Sequence, residues 1–471
     1  MMMTWQAWTQ RQSSARYLQA ILGAALLIRL LALLLLAPTL DFSREGNAIH
    51  GSEAYDAYAQ NLLASGVYGR VLGVPDAQIP PLYSVALALV YGLFGRGFVQ
   101  VGLFHIALDL ASMALLYDSA RRLFAPTGRA LWGRPWGEWI GLGAALAFAG
   151  YPYLIFQNLT LIDTPFWITL LHLFVWLMIL LRERPTLDGK TWALAALAGL
   201  VLGLATLTRP ITPLLAALLG LWLWTRLSLA QAVLRLLPVA TLSLAIMSLW
   251  IARNYGIFGA FVPMTTTSGA NLWQGNSVWT IPVFRAGYDV QWTAPDVQAP
   301  RDSREADAER FALALAYWRD NPDRLLELFW VKFLVHWSID IAPRFNPQEG
   351  EQWRLSPDGQ LIIVQAETSI EGVTSANTSY NQGLLDTIGR PVHLLYYGTL
   401  FLLACIGFGL SWRDWREASL LWAVQFSMTF IYVLFHPSTR YRAPSDPLLF
   451  VLSAYALVTM LSWWQARAKR A

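Results

Sequence analysis

Carboxylate side chains occur in two polar stretches between apolar runs, and carboxylates commonly serve as general bases for hydroxyl groups. The first stretch contains Glu53, Tyr55 and Asp56, at the start of a segment whose apolar spacing predicts a helix on the membrane surface. The second contains Asp163, followed by Pro165 as the chain becomes apolar again. All three acids are therefore candidate catalytic residues. Two alternatives stay open: Glu53 and Asp56 as ordinary first-turn acids of a helix, and Asp163 as an N-cap alone.

Arginine residues occur at the ends of apolar runs. Arg440 and Arg442 flank Tyr441 in one polar stretch, and Arg209 ends another apolar run. Guanidinium groups match phosphate oxygens in a bidentate manner, so these three arginines are candidates for binding a phosphate. In the alternative, Arg440 and Arg442 bind lipid head groups or Asp446 without selectivity, and Arg209 only extends towards the membrane interface.

Sequence motifs for nucleotide or zinc chemistry are absent. The chain contains no Walker-type P-loop, no GxGxxG after a strand, no HExxH and no Cys/His cluster. It has one cysteine, Cys405, so no intrachain disulfide can form, and its net charge of +4 does not indicate nucleic acid as a partner. The sequence identifies no cofactor, and a divalent metal ion is possible at the paired outer acids although their spacing does not imply one.

The elements that must position these residues are membrane helices. Apolar residues make up 56% of the 471 residues and charged residues 14%, against roughly 25% charged in soluble domains. The apolar runs predict an all-α polytopic membrane protein with about ten spanning helices, within a range of roughly eight to thirteen. The predicted spans are residues 17–40, 98–119, 136–156, 164–182, 190–208, 211–226, 232–252, 391–411, 418–436 and 446–464.

Two further apolar stretches, residues 81–95 and 325–341, decide the orientation. If neither crosses the membrane, most Lys and Arg residues of the loops fall on one side, as the positive-inside bias requires. We therefore expect both stretches at the outer interface, as amphipathic or re-entrant helices. Both termini are then cytoplasmic, and an extracytoplasmic active site is predicted for a protein of the inner or plasma membrane.

The chain divides into three predicted regions, a transmembrane catalytic module, an extracytoplasmic segment and the last transmembrane helices, at residues 1–252, 253–390 and 391–471. The first region has outer loops at residues 41–97 and 157–163. The second has mixed polar composition and predicts a small segment of helical and irregular structure. One interfacial helix is expected near 303–320, with Asp302 or Ser303 as its N-cap.

Short motifs in a fixed order resemble those of GT-C superfamily glycosyltransferases that use polyprenyl-phosphate sugars. The likeness is greatest to the protein O-mannosyltransferase and lipid A aminoarabinose transferase branch. The motifs extend along nearly the whole chain: Glu53-Ala-Tyr55, Pro80-Pro81-Leu82-Tyr83, Ala120-Arg121-Arg122-Leu123-Phe124, Asp163, Thr208-Arg209-Pro210, Arg253-Asn254-Tyr255, Gly269-Ala-Asn271-Leu272 and Arg440-Tyr441-Arg442-Ala-Pro444. Each motif is weak alone, but their order on a chain with this topology makes the combination specific.

The resemblance implies an inverting glycosyltransferase that moves a hexose or pentose from a polyprenyl phosphate to an acceptor hydroxyl or phosphate. The acceptor would be a lipid, a glycan or a protein, and membrane lipid would surround the enzyme. The implied roles are the base for Glu53 or Asp56, and orientation of the acceptor or of a divalent ion for Asp163. The implied ligands of the donor phosphate are Arg440, Arg442 and Arg209.

The remaining contacts follow from the same resemblance. Tyr55 and Tyr441 are expected to touch the sugar or the prenyl chain. The family commonly has Asp, or Asp-Glu, where this chain has Ser52-Glu53, and often a basic residue where it has Ile79. That basic contact is either missing or supplied by one of three residues, His50, Arg44 or Arg70. Two rival functions stay open: a ligase or polymerase of undecaprenyl-linked polysaccharide, and a lipid or sugar transporter.

Overall fold

The computed structural model describes residues 5–36, 52–300, 303–345, 347, 351–365, 385–468 and 470. Most of them are helical, and the first helix, α1 (Trp5–Leu31), continues into a π-helical turn at Ala32–Leu36. Between α4 (Phe98–Phe124) and α5 (Trp136–Ala149), a hairpin of two-residue strands pairs β1 (Ala130–Leu131) with β2 (Arg134–Pro135). The helices are α1 (Trp5–Leu31), α2 (Ser52–Ser65), α3 (Leu82–Phe94), α4 (Phe98–Phe124), α5 (Trp136–Ala149), α6 (Pro152–Gln157), α7 (Thr164–Glu183), α8 (Gly189–Thr208), α9 (Thr212–Trp224), α10 (Leu229–Phe258), α11 (Ser268–Gln274), α12 (Thr280–Arg285), α13 (Arg304–Asp320), α14 (Leu325–His336), α15 (Arg390–Leu410), α16 (Trp415–Leu434), α17 (Thr439–Arg442) and α18 (Asp446–Ala468).

Long apolar helices dominate the described part of the chain. Seven helical stretches within it are long and apolar enough to cross a membrane, and one of them, residues 387–434, contains both α15 and α16. A helix satisfies its own backbone hydrogen bonds, which hydrocarbon requires. The outward surfaces are apolar: on α10, Leu237, Leu244 and Leu249 are exposed by 59%, 63% and 72%. The protein is therefore an all-α polytopic integral membrane protein, as its sequence predicts.

Each of the ten predicted spans coincides with a helix, but not every helix has full spanning length. The prediction at 136–156 covers two helices, α5 with 14 residues and α6 with 6, and the prediction at 211–226 falls on α9, which has 13 residues. A crossing helix needs about 20 residues. An apolar run in the sequence therefore predicts that a helix forms more reliably than it predicts the length of that helix.

The two stretches that decided the orientation are short helices. The helix α3 has 13 residues and α14 has 12, so each is about 20 Å long, against a hydrocarbon core of about 30 Å. The helix α3 packs on α2 and α4, and α14 packs on α12 and α16. This length supports an interfacial position for both helices, which remains a prediction.

Ionisable residues inside the bundle pair with one another, as expected for charges in an apolar environment. Arg29 of α1 and Asp109 of α4 are buried and joined by an ion pair of 2.8 Å between Nε and Oδ2. Arg29 Nη1 also donates to the carbonyl oxygen of Ala149, at 2.9 Å. Near them, His105 Nε2 and the hydroxyl of Tyr83 are 2.8 Å apart. These contacts fix α1, α3 and α5 against α4.

The helices α8 and α10 approach each other closely at one glycine. A Cβ atom at Gly199 would lie 2.6 Å from the carbonyl oxygen of Val239, which excludes a larger side chain. The helix α10 begins with a capping box between Ser228 and Gln231 and ends at Gly259, whose φ is +62°. The close packing of α8 on α10 places Arg209, at the end of α8, at a defined position.

The segment between α10 and α15 contains four helices and a hairpin within its described residues. The predicted helix near 303–320 is confirmed as α13, and Ser303 caps it, because Ser303 Oγ accepts a hydrogen bond of 3.1 Å from the Ala306 amide. The hairpin pairs β3 (Glu351–Leu355) with β4 (Leu361–Gln365), and the sequence analysis did not predict it. Its turn contains Pro-Asp-Gly ending at Gly359, with φ of +79°, and this turn signal was available in the sequence.

Candidate active site

The helix α2 carries Tyr55 and Asp56 on adjacent positions, and the two side chains have different surroundings. Asp56 Oδ1 accepts hydrogen bonds from the Tyr91 hydroxyl at 2.8 Å and from Arg96 Nε at 3.0 Å. Its Oδ2 accepts from Arg96 Nη2 at 2.6 Å and from Gln60 Nε2 at 2.8 Å. Both oxygens of Asp56 are therefore engaged, and the carboxylate joins α2 to α3 and to the turn that follows α3.

Tyr55 lies on the side of α2 that faces the other candidate residues. Its ring packs edge-on against Tyr83, with centroids 5.0 Å apart. Burial raises the pKa of Tyr55, the charge of Asp163 raises it further, and the charges of Arg440 and Arg209 lower it. Charges act on a buried group in this way only when they are near. Tyr55 is therefore neutral and lies within electrostatic reach of Asp163, Arg209 and Arg440.

Asp163 and Arg209 form a buried bidentate pair. Asp163 occupies the N-cap position of α7, but its side chain makes no capping hydrogen bond. Instead, Arg209 Nε donates to Oδ2 at 2.7 Å and Nη2 to Oδ1 at 2.8 Å, while Nη2 also reaches Thr164 Oγ1 at 3.0 Å. Burial alone would lower the pKa of Arg209, but Asp163 outweighs it and the pKa lies above its ordinary value. Arg209 Nη1 is buried and has no hydrogen-bond partner within the described residues.

The last polar stretch, residues 435–442, is held by the segment that follows α10. Lys332 Nζ donates to the carbonyl oxygens of Leu434 at 3.0 Å and Gly275 at 2.9 Å. A Cβ atom at Gly275 would lie 1.6 Å from the carbonyl oxygen of Phe435, so only glycine permits this approach. The Thr439 amide donates to the carbonyl oxygen of Ala342 at 2.6 Å. The position of Arg440 thus depends on contacts with residues 253–390, the predicted extracytoplasmic segment (called the outer segment below).

Arg440 is a half-buried guanidinium without a polar partner. Its Nε is buried, and within the described residues the side chain makes no hydrogen bond and no ion pair. Its one directional contact there is with the ring of Tyr441, whose centroid lies 5.7 Å from Cζ. Tyr441 in turn stacks on Tyr432 at 4.8 Å and meets His436 edge-on at 5.3 Å. Arg440 is therefore positioned by aromatic packing and keeps its hydrogen-bond donors available.

Arg442 has a different environment from Arg440. It is fully buried, and its Nε lies 3.3 Å from Asp446 Oδ1. Its Nη1 donates to the carbonyl oxygens of His336, at 3.3 Å, and Ser338, and its Cζ lies 4.0 Å from the ring centroid of Tyr397. Of the alternatives that the sequence left open for Arg442, the contact with Asp446 is the one observed.

Two residues near Arg440 were not found by the sequence analysis. Asp289 lies in the outer segment, and burial raises its pKa although the charges of His436 and Arg440 act to lower it. Burial lowers the pKa of His436, and Asp289 partly offsets that effect. Lys332 was also missed, because it lies within an apolar run without any motif. Asp289 has no spacing relation to the other acids, so only the folded chain reveals that it is near them.

Two predicted site residues cannot be placed in this cluster. His50 lies outside the described residues, together with Arg44. Glu53 lies in the first turn of α2 by its backbone, as predicted, but its side chain is outside the described part of the structure. In the same described part, no group of three or more His, Cys, Asp or Glu residues could hold a metal ion. A divalent metal ion bound by the outer acids therefore stays a prediction.

Comparisons with known proteins place the fold. No protein-family model and no curated protein sequence matches the chain. Among solved structures, oligosaccharyltransferase AglB of Archaeoglobus fulgidus in complex with an inhibitory peptide and a dolichol-phosphate matches at a TM-score of 0.53. That match has 13% identity over 97% of this chain and 52% of AglB. The apo form of the same enzyme gives a TM-score of 0.52 and 12% identity, over 96% of this chain and 52% of AglB. The chain has the GT-C fold.

The GT-C fold agrees with the resemblance that the sequence motifs indicated. The structure of ArnT of Cupriavidus metallidurans bound to undecaprenyl phosphate is 15% identical over 93% of this chain and 78% of that one, with a TM-score of 0.39, and the fold rests on the oligosaccharyltransferase structures alone. The chain spans about half the length of the AglB structures that it matches. Tyr55, Asp163, Arg209 and Arg440 come from four different polar stretches of the chain, and the charges of the other three act on the buried hydroxyl of Tyr55.

Proposed function

We propose that the protein is an inverting glycosyltransferase that moves a sugar from a polyprenyl phosphate to an acceptor hydroxyl or phosphate. The observation that carries the proposal is Arg440, a half-buried guanidinium without a polar partner among the described residues, beside the Asp163–Arg209 pair. A buried cation that lacks a counter-ion is costly unless a ligand supplies the negative charge. A phosphate group supplies both that charge and the acceptor oxygens that a guanidinium needs.

Sugar transfer from a lipid phosphate requires stabilisation of the leaving group. Negative charge grows on the phosphate as the glycosidic bond breaks, and fixed cations aimed at it lower the barrier. Arg440 would bind the phosphate directly, and Arg209, paired with Asp163, would be the second guanidinium of the site. Arg442 would support the site by fixing the start of α18, since its guanidinium already interacts with Asp446 and with backbone carbonyl oxygens.

The acceptor must lose a proton during transfer, which requires a base. We assign this role to Glu53, because Asp56 already accepts four hydrogen bonds and holds α2 in place. Asp163 would orient the acceptor, as both of its oxygens are directed by Arg209. Tyr55 would offer its neutral hydroxyl to the sugar, and Tyr441 would line the path of the prenyl chain.

The lipid carrier and the membrane orientation belong to the same proposal. AglB, which shares the fold, is named in complex with a dolichol-phosphate, and this supports a polyprenyl-phosphate carrier for this chain. The Lys and Arg distribution supports an extracytoplasmic site with both termini in the cytoplasm. Acceptor classes are lipid, glycan or protein, and nothing in the site favours one of them.

The experiment is a transfer assay with the purified full chain in lipid nanodiscs and a radiolabelled polyprenyl-phosphate hexose or pentose. We expect transfer by the wild type and its loss in Arg440→Gln. The matched control is Arg319→Gln, since the Arg319 side chain is 76% exposed on α13. Wild-type transfer by a protein that carries Glu53→Gln, Asp56→Asn and Asp163→Asn together would overturn the proposal.

The same assay separates the rival functions. A diphosphate-linked glycan as the accepted donor, with the monophosphate-linked sugar refused, would indicate a polysaccharide ligase or polymerase. Movement of the labelled lipid across sealed vesicles without formation of a new glycosidic bond would indicate a transporter. The lack of a counter-ion at Arg440 among the described residues favours the monophosphate, because one guanidinium matches one phosphate group.

A further inference from the structure

A cavity of about 290 Å³ lies at the end of the bundle away from the candidate active site. The helix α18 begins at Asp446, beside Arg442, and its residues Tyr455 to Ala466 line the cavity. They are roughly 14 to 30 Å further along the helix axis, at 1.5 Å per residue. The rest of the lining comes from the end of α15, the turn after it and the start of α5. This cavity is therefore separate from the site of the proposed transfer.

Of the two arginines that line the cavity, one has no counter-ion within the described residues. Arg129 and Arg413 line it, and no Asp or Glu of the described residues does. Arg129 forms an ion pair with Asp414 and lies over the ring of Trp136, 4.3 Å from the centroid. Asp414 also accepts a hydrogen bond of 2.6 Å from the Tyr455 hydroxyl, and its carboxylate balances the charge of Arg129. Arg413 makes no ion pair or hydrogen bond within the described part of the chain and remains available to an anion.

Exposed tryptophans place the cavity at the level of lipid head groups. Trp463 lines it, and Trp464, Trp412 and Trp415 lie at the same end of the bundle. All four are more than two-fifths exposed. Tryptophan collects where a membrane meets water, because its ring is apolar and its N–H is polar. The cavity therefore opens where the phosphates of a bilayer lie, beside apolar helix surfaces on which acyl chains can pack.

We propose that this cavity binds the phosphodiester head group of an anionic phospholipid. Arg413 binds a phosphate oxygen, and Arg129, which is paired with Asp414, lines the same cavity. Basic pockets between membrane helices bind anionic head groups in this way, and the Lys and Arg distribution predicts that this end faces the cytoplasm. A free phosphate offers the same oxygens to Arg413, but it gains nothing from the apolar surfaces of α15 and α18.

Native mass spectrometry of the full chain, released from detergent micelles, tests the proposal. We titrate dioleoylphosphatidylglycerol against dioleoylphosphatidylcholine and expect preferential retention of the anionic lipid. Arg413→Gln should lower the apparent affinity for that lipid by about fivefold, because this is the usual contribution of one arginine to binding at an anionic membrane surface. Arg416→Gln is the matched control, because Arg416 is also exposed at this end but does not line the cavity. Arg413 has no protein partner among the described residues, so its replacement leaves folding unchanged.

Three outcomes would overturn the proposal. Equal retention of the two lipids would show that charge plays no part. An unchanged affinity in Arg413→Gln would remove Arg413 from the site. Displacement of the lipid by millimolar inorganic phosphate would indicate a site for a soluble anion rather than for a lipid. None of these results depends on transfer activity, so the inference stands or falls separately from the proposed glycosyltransferase reaction.

Discussion

Asp163 and Arg209 face each other across a buried interface and join the start of α7 to the end of α8. Two hydrogen bonds of 2.7 and 2.8 Å connect their side chains. Both side chains are less than a tenth exposed. A pair of this kind holds the carboxylate in one orientation, because rotation would leave the guanidinium without a partner. The acid at the centre of the candidate site is thus a fixed acceptor of hydrogen bonds.

Asp163→Asn should therefore destabilise the protein strongly. It leaves Arg209 charged and buried without compensation, at a cost of about 3 kcal/mol or more. The double variant with Arg209→Gln should lose less than the sum of the two single variants, with a coupling of about 1 kcal/mol or more. Thermal unfolding in detergent, followed by tryptophan fluorescence, measures all four proteins. If the losses of stability in the two single variants simply add in the double variant, Asp163 and Arg209 do not interact directly.

Arg440→Ala should change donor binding and leave folding almost intact. Its guanidinium has no polar partner among the described residues, so its removal breaks no hydrogen bond and should not lower the free energy of unfolding. Loss of a charge-assisted hydrogen bond to the donor phosphate should weaken the apparent donor affinity roughly tenfold. The acceptor affinity should change much less. Steady-state kinetics with each substrate varied in turn tests this, and equal effects on both affinities would argue against a phosphate ligand.

Glu53→Gln and Asp56→Asn should have opposite effects on stability and on transfer activity. Asp56 accepts four hydrogen bonds from Tyr91, Arg96 and Gln60, so its neutral replacement should cost about 1–3 kcal/mol of stability. Glu53→Gln should leave the unfolding midpoint unchanged and abolish transfer, as expected for the base. Both variants are compared for unfolding midpoint and for turnover. A stable, active Glu53→Gln protein beside an inactive, equally stable Asp56→Asn protein would reverse the assignment.

Lys332→Met should loosen the stretch that carries Arg440. The ammonium group donates to Gly275, Asn276 and Leu434, each within 3.0 Å. Without it, buried carbonyl oxygens lose their partner, and residues 435–442 lose their attachment to the outer segment. Amide hydrogen exchange should accelerate in 435–442, and donor affinity should fall with it. The control is Arg324→Met, which also removes a cation, because the Arg324 side chain is 50% exposed just before α14. Equal exchange in the two variants would show that Lys332 does not hold this stretch.

His336 should make stability dependent on pH. Its pKa is lowered to about 3, by burial first and by Arg442 second, whereas an unfolded histidine titrates near about 6.5. Below about 6.5 the unfolded chain binds the proton that the folded chain refuses, so stability is complete above that pH and falls as pH drops towards 3. The slope from this group is at most about 1.4 kcal/mol per pH unit. Unfolding midpoints between pH 7 and pH 4 should vary less in His336→Asn than in the wild type. If the unfolding midpoint varies equally with pH in both proteins, other groups control the pH dependence of stability.

The sequence by itself determined the helical elements and the candidate residues at their ends. Apolar runs predicted the membrane helices because hydrocarbon leaves the backbone no other way to satisfy its hydrogen bonds. Asp163 was predicted at the start of α7, and Ser303 among the possible caps of α13, since local sequence fixes where a helix begins. The motifs also predicted the GT-C fold, which the comparison with AglB supports.

Only the tertiary structure decided which charged groups meet. Asp56 pairs with Arg96, Asp163 with Arg209, and the partners are 40 and 46 residues apart in sequence. Asp289 approaches Arg440 from a segment whose sequence carries no chemical motif. Such partners depend on how helices pack against one another, and packing joins positions that have no spacing relation along the chain. Residue types therefore indicated what chemistry the polar stretches could perform, while the assembled bundle determined which side chains remain free to perform it.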